Sequence, residues 1–95
     1  MSGWVYIMAS ARNGTLYIGV TNNLAERIYA HKTGREHGFT RRYDVKRLVW
    51  YEQYDTVPEA IKVEKLMKKW PREWKINAIE SRNPQWHDLY DQLNQ

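Results

Sequence analysis

Two runs of β-branched and aromatic residues, 4 to 10 (WVYIMAS) and 15 to 20 (TLYIGV), stand on either side of Ala11-Arg12-Asn13-Gly14. Such residues favour a pleated, part-buried surface, and an Asn-Gly pair supplies the positive φ angles of a tight connection, so the pattern predicts an antiparallel hairpin. A hairpin alone is marginal in water. The rest of the chain must therefore cover it, and with 95 residues there is room for one core only.

The covering elements can be read in turn. Thr21-Asn22-Asn23 offers capping oxygens, Glu26 follows three residues after Asn23, and Gly34 is placed to end a helix running from about Leu24 to Lys32. Residues 35 to 43 combine Gly, Thr and charge without periodicity and read as a basic loop. Residues 48 to 54 (LVWYEQY) form a third strand, and Thr56-Val57-Pro58-Glu59 is a capping box that opens a helix to about Trp70, where Pro71 breaks it. A helical segment from about Arg72 to Ser81 and an amphipathic tail from Trp86 to Leu93 complete the chain. The expected order is ββαβααα: one domain over residues 1–95, a small antiparallel three-stranded sheet flanked by helices, of the α+β class.

With no cysteine, disulfides and thiolate metal sites are excluded, and three scattered histidines do not make a zinc cluster. Stability must come from packing, to which five Trp and seven Tyr contribute large buriable surfaces. No apolar run is long enough for a membrane span and no secretory signal opens the chain, so the expectation is a soluble cytoplasmic protein without a membrane partner. The net charge of +4 is concentrated: Lys32, Arg35, Arg41, Arg42, Lys46 and Arg47 face only Glu36 and Asp44, and residues 62 to 75 hold six more bases against Glu64 and Glu73. Two basic stretches on one small domain suit a polyanion such as nucleic acid; solvated faces of no further function are the alternative.

Three polar residues are poorly explained by folding alone. Arg27 and His31, one turn apart, fall on or beside the apolar stripe of the first helix defined by Leu24 and Ile28. A snorkelling arginine and a satisfied core histidine are the plain readings of each taken singly. Glu64 falls between apolar neighbours on the second helix, where a carboxylate needs a partner. Either a salt bridge to Arg27 or a divalent cation meets that need. Tyr6 and Tyr17, eleven residues apart across the turn, belong on adjacent strands close to cross-strand register.

Taken together, these residues resemble the GIY-YIG nuclease superfamily. Val5-Tyr6-Ile7 and Tyr17-Ile18-Gly19 are similar to its two name-giving elements at their usual spacing, Arg27 follows the glycine by eight residues, and Glu64 lies in a segment like the family's glutamate helix. The run from Tyr17 to Leu24, with His31, looks like the short single-domain members. The tyrosine of Val5-Tyr6-Ile7 stands one place earlier than in Gly-Ile-Tyr, and Asn77 and Asn83 are rival candidates for a late asparagine found in many members.

The resemblance implies a metal-dependent endonuclease acting on nucleic acid, with DNA as the expected substrate. Glu64 would bind Mg²⁺ or Mn²⁺, Arg27 the scissile phosphate, Tyr17 would assist in activating water, and Tyr6 and His31 would orient water or phosphate. Lys32, Arg35, Arg41, Arg42, Lys46 and Arg47 would grip the backbone, and a protein partner could supply targeting. Two other expectations remain open: a nucleic-acid-binding module on the same fold without cleavage, and an adaptor that docks a partner through Trp86, Leu89 and Tyr90.

Overall fold

The computed structural model describes residues 1–35 and 38–94; Glu36 of the basic loop lies outside them. Strands β1 (Gly3–Ala9), β2 (Leu16–Thr21) and β3 (Arg47–Tyr54) form one antiparallel sheet in the order β2-β1-β3. The predicted hairpin is present, with Ala9 opposite Leu16 and Trp4 opposite Thr21. Of the Asn-Gly pair only Asn13 takes a positive φ (59°); Gly14 is needed instead for space, since a Cβ there would lie 2.4 Å from Ser10 Oγ. Arg72 clamps the turn by donating to the carbonyls of Asn13 (2.9 Å) and Gly14 (2.6 Å).

Because β1 is the central strand, both of its faces are covered, and Val5 to Ala9 are all buried. Val5, Ile7 and Ala9 point to a core shared with Ile18, Val49, Ala60, Met67, Ile79 and Trp86. Tyr6 and Met8 point the other way, to Leu24, Ile28, Val45 and Leu48. The sheet thus separates two half-cores, one under α1 (Leu24–Lys32) and the other under α3 (Val57–Lys68) and α4 (Arg72–Arg82).

Helix starts follow the capping chemistry. Asn23 accepts from the Glu26 amide (3.3 Å) and Thr56 from the Glu59 amide (3.2 Å). On α3, Ala60, Glu64 and Met67 form the stripe that faces the sheet. Its backbone approaches β1 so closely that a Cβ on Gly3 would meet Ala60 Cβ at 2.7 Å.

Two expectations need correction. The basic loop contains a short helix, α2 (Phe39–Arg42), so the observed order is ββααβαα. Its isolated turn is closed by Arg42 N donating to Gly38 O (2.9 Å) and is tied down through buried Thr40, a tertiary contact that periodicity cannot reveal. The tail is not free to dock a partner through Trp86: that side chain is fully buried, and residues Tyr90–Asn94 form a 3₁₀ turn packed beside α1. Trp86 Nε1 donates to Glu80 (2.7 Å), and the Leu89 amide donates to Leu48 O (2.7 Å). A docking role for Trp86 is therefore excluded by its place in the core.

Candidate active site

Tyr6 and Tyr17 emerge on the α1 face of the sheet. They are diagonal rather than directly opposed: Tyr6 faces Gly19, and Tyr17 faces Met8. Their rings lie 6.3 Å apart, and the space between strands is kept by Gly19, where a Cβ would come within 2.4 Å of the Tyr6 ring and hydroxyl and 3.0 Å of the Tyr17 ring. A glycine inside a strand marks such a close approach.

His31 descends from the last turn of α1 onto this pair. Its ring is 5.8 Å from Tyr6 and 5.5 Å from Tyr17. Tyr6 Oη is 3.1 Å from Nε2, and Thr40 Oγ1 on α2 is 3.1 Å from Nδ1. Both hydroxyls can donate or accept, so either neutral tautomer satisfies the chain Tyr6–His31–Thr40. Tyr6 is 1% exposed and His31 4%, whereas Tyr17 is half-buried and lines an open cleft. The histidine is hence a satisfied buried residue and, at the same time, the piece that links three elements beneath Tyr17.

Arg27, one turn earlier on α1, opens into a different cleft of about 270 Å³ beside Thr21, Asn23, Glu26 and Arg35. Glu64 approaches from the other face of the sheet. Its side chain, 11% exposed, finds a cation one turn along its own helix, where Lys68 Nζ donates to Oε2 at 2.9 Å. The requirement of a buried carboxylate is thus met from within α3. Because β2 is an edge strand, the two faces meet around it: Lys68 lines the same cleft as Tyr17 and Ile18. Tyr6, Tyr17 and His31 are brought into one cluster, while Arg27 opens into a separate cleft and Glu64 is connected with the Tyr17 cleft through Lys68.

The donor chemistry around Glu64 is that of a sparse site. No group of three His, Cys, Asp or Glu side chains capable of holding a metal occurs among the described residues. One carboxylate fits a hard cation such as Mg²⁺ that keeps most of its water; it does not make a protein cage.

Of the basic residues, Arg35, Arg41, Arg42 and Lys46 are exposed. Lys46 pairs with Asp44 (3.3 Å), and Arg42 lies over the Tyr43 ring (5.6 Å). Lys32 and Arg47 have structural partners in the tail: Lys32 pairs with Asp88, and Arg47 donates to Trp86 O (3.1 Å). Asn83 is likewise engaged, donating to Val49 O and His87 O and accepting from the His87 amide, while Asn77 is exposed on α4. Sequence reasoning missed Thr40 and Phe39, took Gly19 only as part of the Tyr17-Ile18-Gly19 element and not as the spacer beneath Tyr6, and counted Lys68 and Lys75 only as bases of the stretch from 62 to 75. Gly19 had a readable signal, a glycine within a strand run; the others depend on tertiary placement.

Residues 2–77 match the model of the GIY-YIG catalytic domain. The chain belongs to the GIY-YIG family. The chain is 33% identical to a UPF0213 protein of Clostridium perfringens over 91 residues, 96% of this chain and 97% of that one. It is 35% identical to a UPF0213 protein of Bacillus licheniformis over 81 residues, 85% and 82% of the two chains. The solution NMR structure of a UPF0213 protein from Bacillus halodurans superposes with a TM-score of 0.57 at 26% identity, covering 93% of each chain. In a GIY-YIG frame the tyrosine of the first element needs no displacement, because Trp4-Val5-Tyr6 ends on tyrosine just as Gly-Ile-Tyr does. No helix among the described residues is long and apolar enough to cross a membrane.

Proposed function

We propose that this domain engages nucleic acid at the β2 edge and hydrolyses its phosphodiester bonds with the aid of a divalent ion, DNA being the expected substrate. The observation that supports this reading best is the Tyr6–His31–Tyr17 cluster over Gly19, retained in a chain that matches a catalytic domain over most of its length. A set kept only for folding would not need a solvent-facing tyrosine braced by a buried histidine.

Each side chain has a role suited to its place. Tyr17 stands where water reaches it and takes part in activating the attacking water. Tyr6 and His31, both buried, hold the Tyr17 ring and act through it rather than on substrate. Arg27 has the planar fork that matches phosphate oxygens and stabilises charge developing on them. Glu64 would hold Mg²⁺ or Mn²⁺, which supplies Lewis-acid stabilisation of the leaving oxygen. Arg35, Arg41, Arg42 and Lys46 grip the backbone, giving salt-dependent and largely sequence-independent affinity.

A second reading, binding without cleavage on the same fold, is favoured by one contact: Lys68 already neutralises Glu64. Cleavage of labelled duplex, flapped, branched and single-stranded DNA and RNA, with Mg²⁺, Mn²⁺ or chelator, separates the two. The nuclease reading expects metal-dependent product that disappears in Glu64→Gln and falls about 10²- to 10³-fold in Arg27→Ala. Salt-sensitive binding with no product under any condition sinks it in favour of the binding module.

A further inference from the structure

Outward from the buried Tyr6–His31 pair runs a series of rings. Tyr17 is followed by Phe39 at 6.3 Å and Phe39 by Tyr43 at 4.7 Å. The last two are 47% and 46% exposed, although they belong to a four-residue helix and its cap, where the only buried helix residue is Thr40. Rings left half in water contribute little to folding, and these are interleaved with Arg41 and Arg42. Across the free edge of β2, Lys68 and Lys75 complete a cleft of about 280 Å³ whose other walls are Leu16, Tyr17, Ile18 and Phe39.

The two lysines are near neighbours: Lys75 Nζ donates to the backbone carbonyl of Lys68 at 3.4 Å. Glu64 offsets one ammonium, leaving the rim with an unbalanced positive charge beside aromatic walls. The cleft falls just under the size range of drug-sized ligand sites, roughly 300 Å³ upward, and has room for one planar group. Aromatic faces with ammonium groups at the margin match the two halves of a nucleotide, a stackable base and a phosphate.

We propose that the cleft at the β2 edge is a nucleotide subsite: one unpaired base rests against Phe39 and Tyr17 while its neighbouring phosphate is held by Lys68 and Lys75. The subsite rests on the reading that this domain engages nucleic acid. It also refines that reading, because the strand beside the scissile phosphate must then present a base that is out of its stack. Ring faces accept any base, so the requirement is for an unpaired nucleotide rather than for a sequence.

The test is binding, in chelator, to a duplex that carries one unpaired nucleotide, compared with the same duplex in which that nucleotide is abasic. Fluorescence anisotropy should show the base-bearing form bound about 5- to 150-fold more tightly by the unaltered protein. Phe39→Ala should abolish the difference and Phe39→Trp should keep it. Phe39 is half in solvent, so both variants should melt as the parent does, and circular dichroism checks this. Lys75→Gln should weaken both forms alike and reduce the salt dependence. Equal binding of base-bearing and abasic forms, or a Phe39→Ala protein that still discriminates, overturns the subsite. Failure of the nuclease reading has a different signature, base-dependent binding without metal-dependent product. Cleavage that ignores the base sinks the subsite alone, and no binding to any oligonucleotide sinks both.

Discussion

The phenol of Tyr6 lies over Gly19, its direct cross-strand partner, so closely that any side chain at position 19 would collide with both the ring and the hydroxyl. That approach joins the fold to the site. Tyr6 can reach His31 only while position 19 is empty, and His31 in turn braces Tyr17 and reaches Thr40.

Gly19→Ala is therefore expected to destabilise the domain by about 1–3 kcal/mol, the usual cost of overpacking. At about 4–8 °C per kcal/mol for a domain of this size, thermal unfolding should register the loss clearly. The imidazole resonances of His31 should shift in the same variant as the hydrogen bond between Tyr6 and His31 is displaced. An unchanged melting temperature and unchanged His31 resonances would mean that β2 can move aside and that the glycine is not what fixes the cluster.

Salt dependence reports on the exposed arm of α2. Arg41 and Arg42 are exposed, while Lys32 and Arg47 already have partners in the tail. The double change Arg41→Gln with Arg42→Gln should reduce the slope of log K against log salt by about 1 to 2, roughly one unit for each phosphate that is no longer neutralised. Arg47→Gln should instead lower stability while leaving the slope almost as it was. The reverse pattern would place the phosphate track along β3 rather than α2.

How much of this was legible beforehand follows from the range over which each signal acts. The Asn13-Gly14 turn, the Asn23 and Thr56 caps and the apolar runs are local, and they gave the hairpin, α1 and α3 within a residue or two. Tyr6, Tyr17, Arg27, His31 and Glu64 stand out in the sequence because each conflicts with its local pattern or matches the family's order. Their mutual placement was not readable, since it depends on β2 being an edge strand around which two faces of the sheet meet. Lys68 read only as one base of the stretch from 62 to 75, and only the structure shows it between Glu64 and the Tyr17 cleft. Trp86 misled for a similar reason: a tail tryptophan after Asn83-Pro84 was a candidate for docking a partner, whereas its positive φ (58°) and its bond to Glu80 turn it inward.

That inward turn makes Trp86 a stability residue. Trp86→Ala should cost about 3–5 kcal/mol through loss of buried surface and the cavity it leaves. Leu89 and Tyr90, half-buried beside α1, should matter less. Denaturant unfolding provides the comparison, and a Trp86→Ala protein as stable as its parent would contradict the observed core.

Tyr54 gives the fold a weak alkaline dependence. Burial first, then the neighbouring Glu52 carboxylate, raises its phenol above the ordinary value of 10.0, with Arg82 acting in the opposite sense. The sign follows from the raised value: the neutral phenol is favoured in the folded state, so its contribution is complete below pH 10.0 and is lost as pH rises through the folded value. Tyr54→Phe should consequently lose less stability than the parent between neutral and strongly alkaline pH. In Glu52→Gln, phenolate absorbance assigned to Tyr54 should appear at lower pH.

Lys68 offers the sharpest test of how Glu64 and the Tyr17 cleft communicate. Its ammonium neutralises a carboxylate that is almost wholly buried, yet it also lines the cleft shared by Tyr17 and Lys75. A divalent ion on Glu64 would compete for the same oxygens, freeing Lys68 to face a phosphate. Lys68→Gln should thus lower stability in chelator, because a buried carboxylate loses its cation. It should also raise the apparent affinity for Mg²⁺ or Mn²⁺, seen as a larger metal-induced increase in melting temperature, since an ion that binds only the folded state stabilises it by RT ln(1 + [L]/Kd). Oligonucleotide binding in chelator should weaken in the same variant. If the pair were an ordinary exposed i,i+4 contact worth about 0.3–0.5 kcal/mol, stability, metal response and oligonucleotide affinity would all stay near those of the parent. A change in metal response with no change in oligonucleotide affinity would confine Lys68 to Glu64 and remove it from the nucleotide subsite.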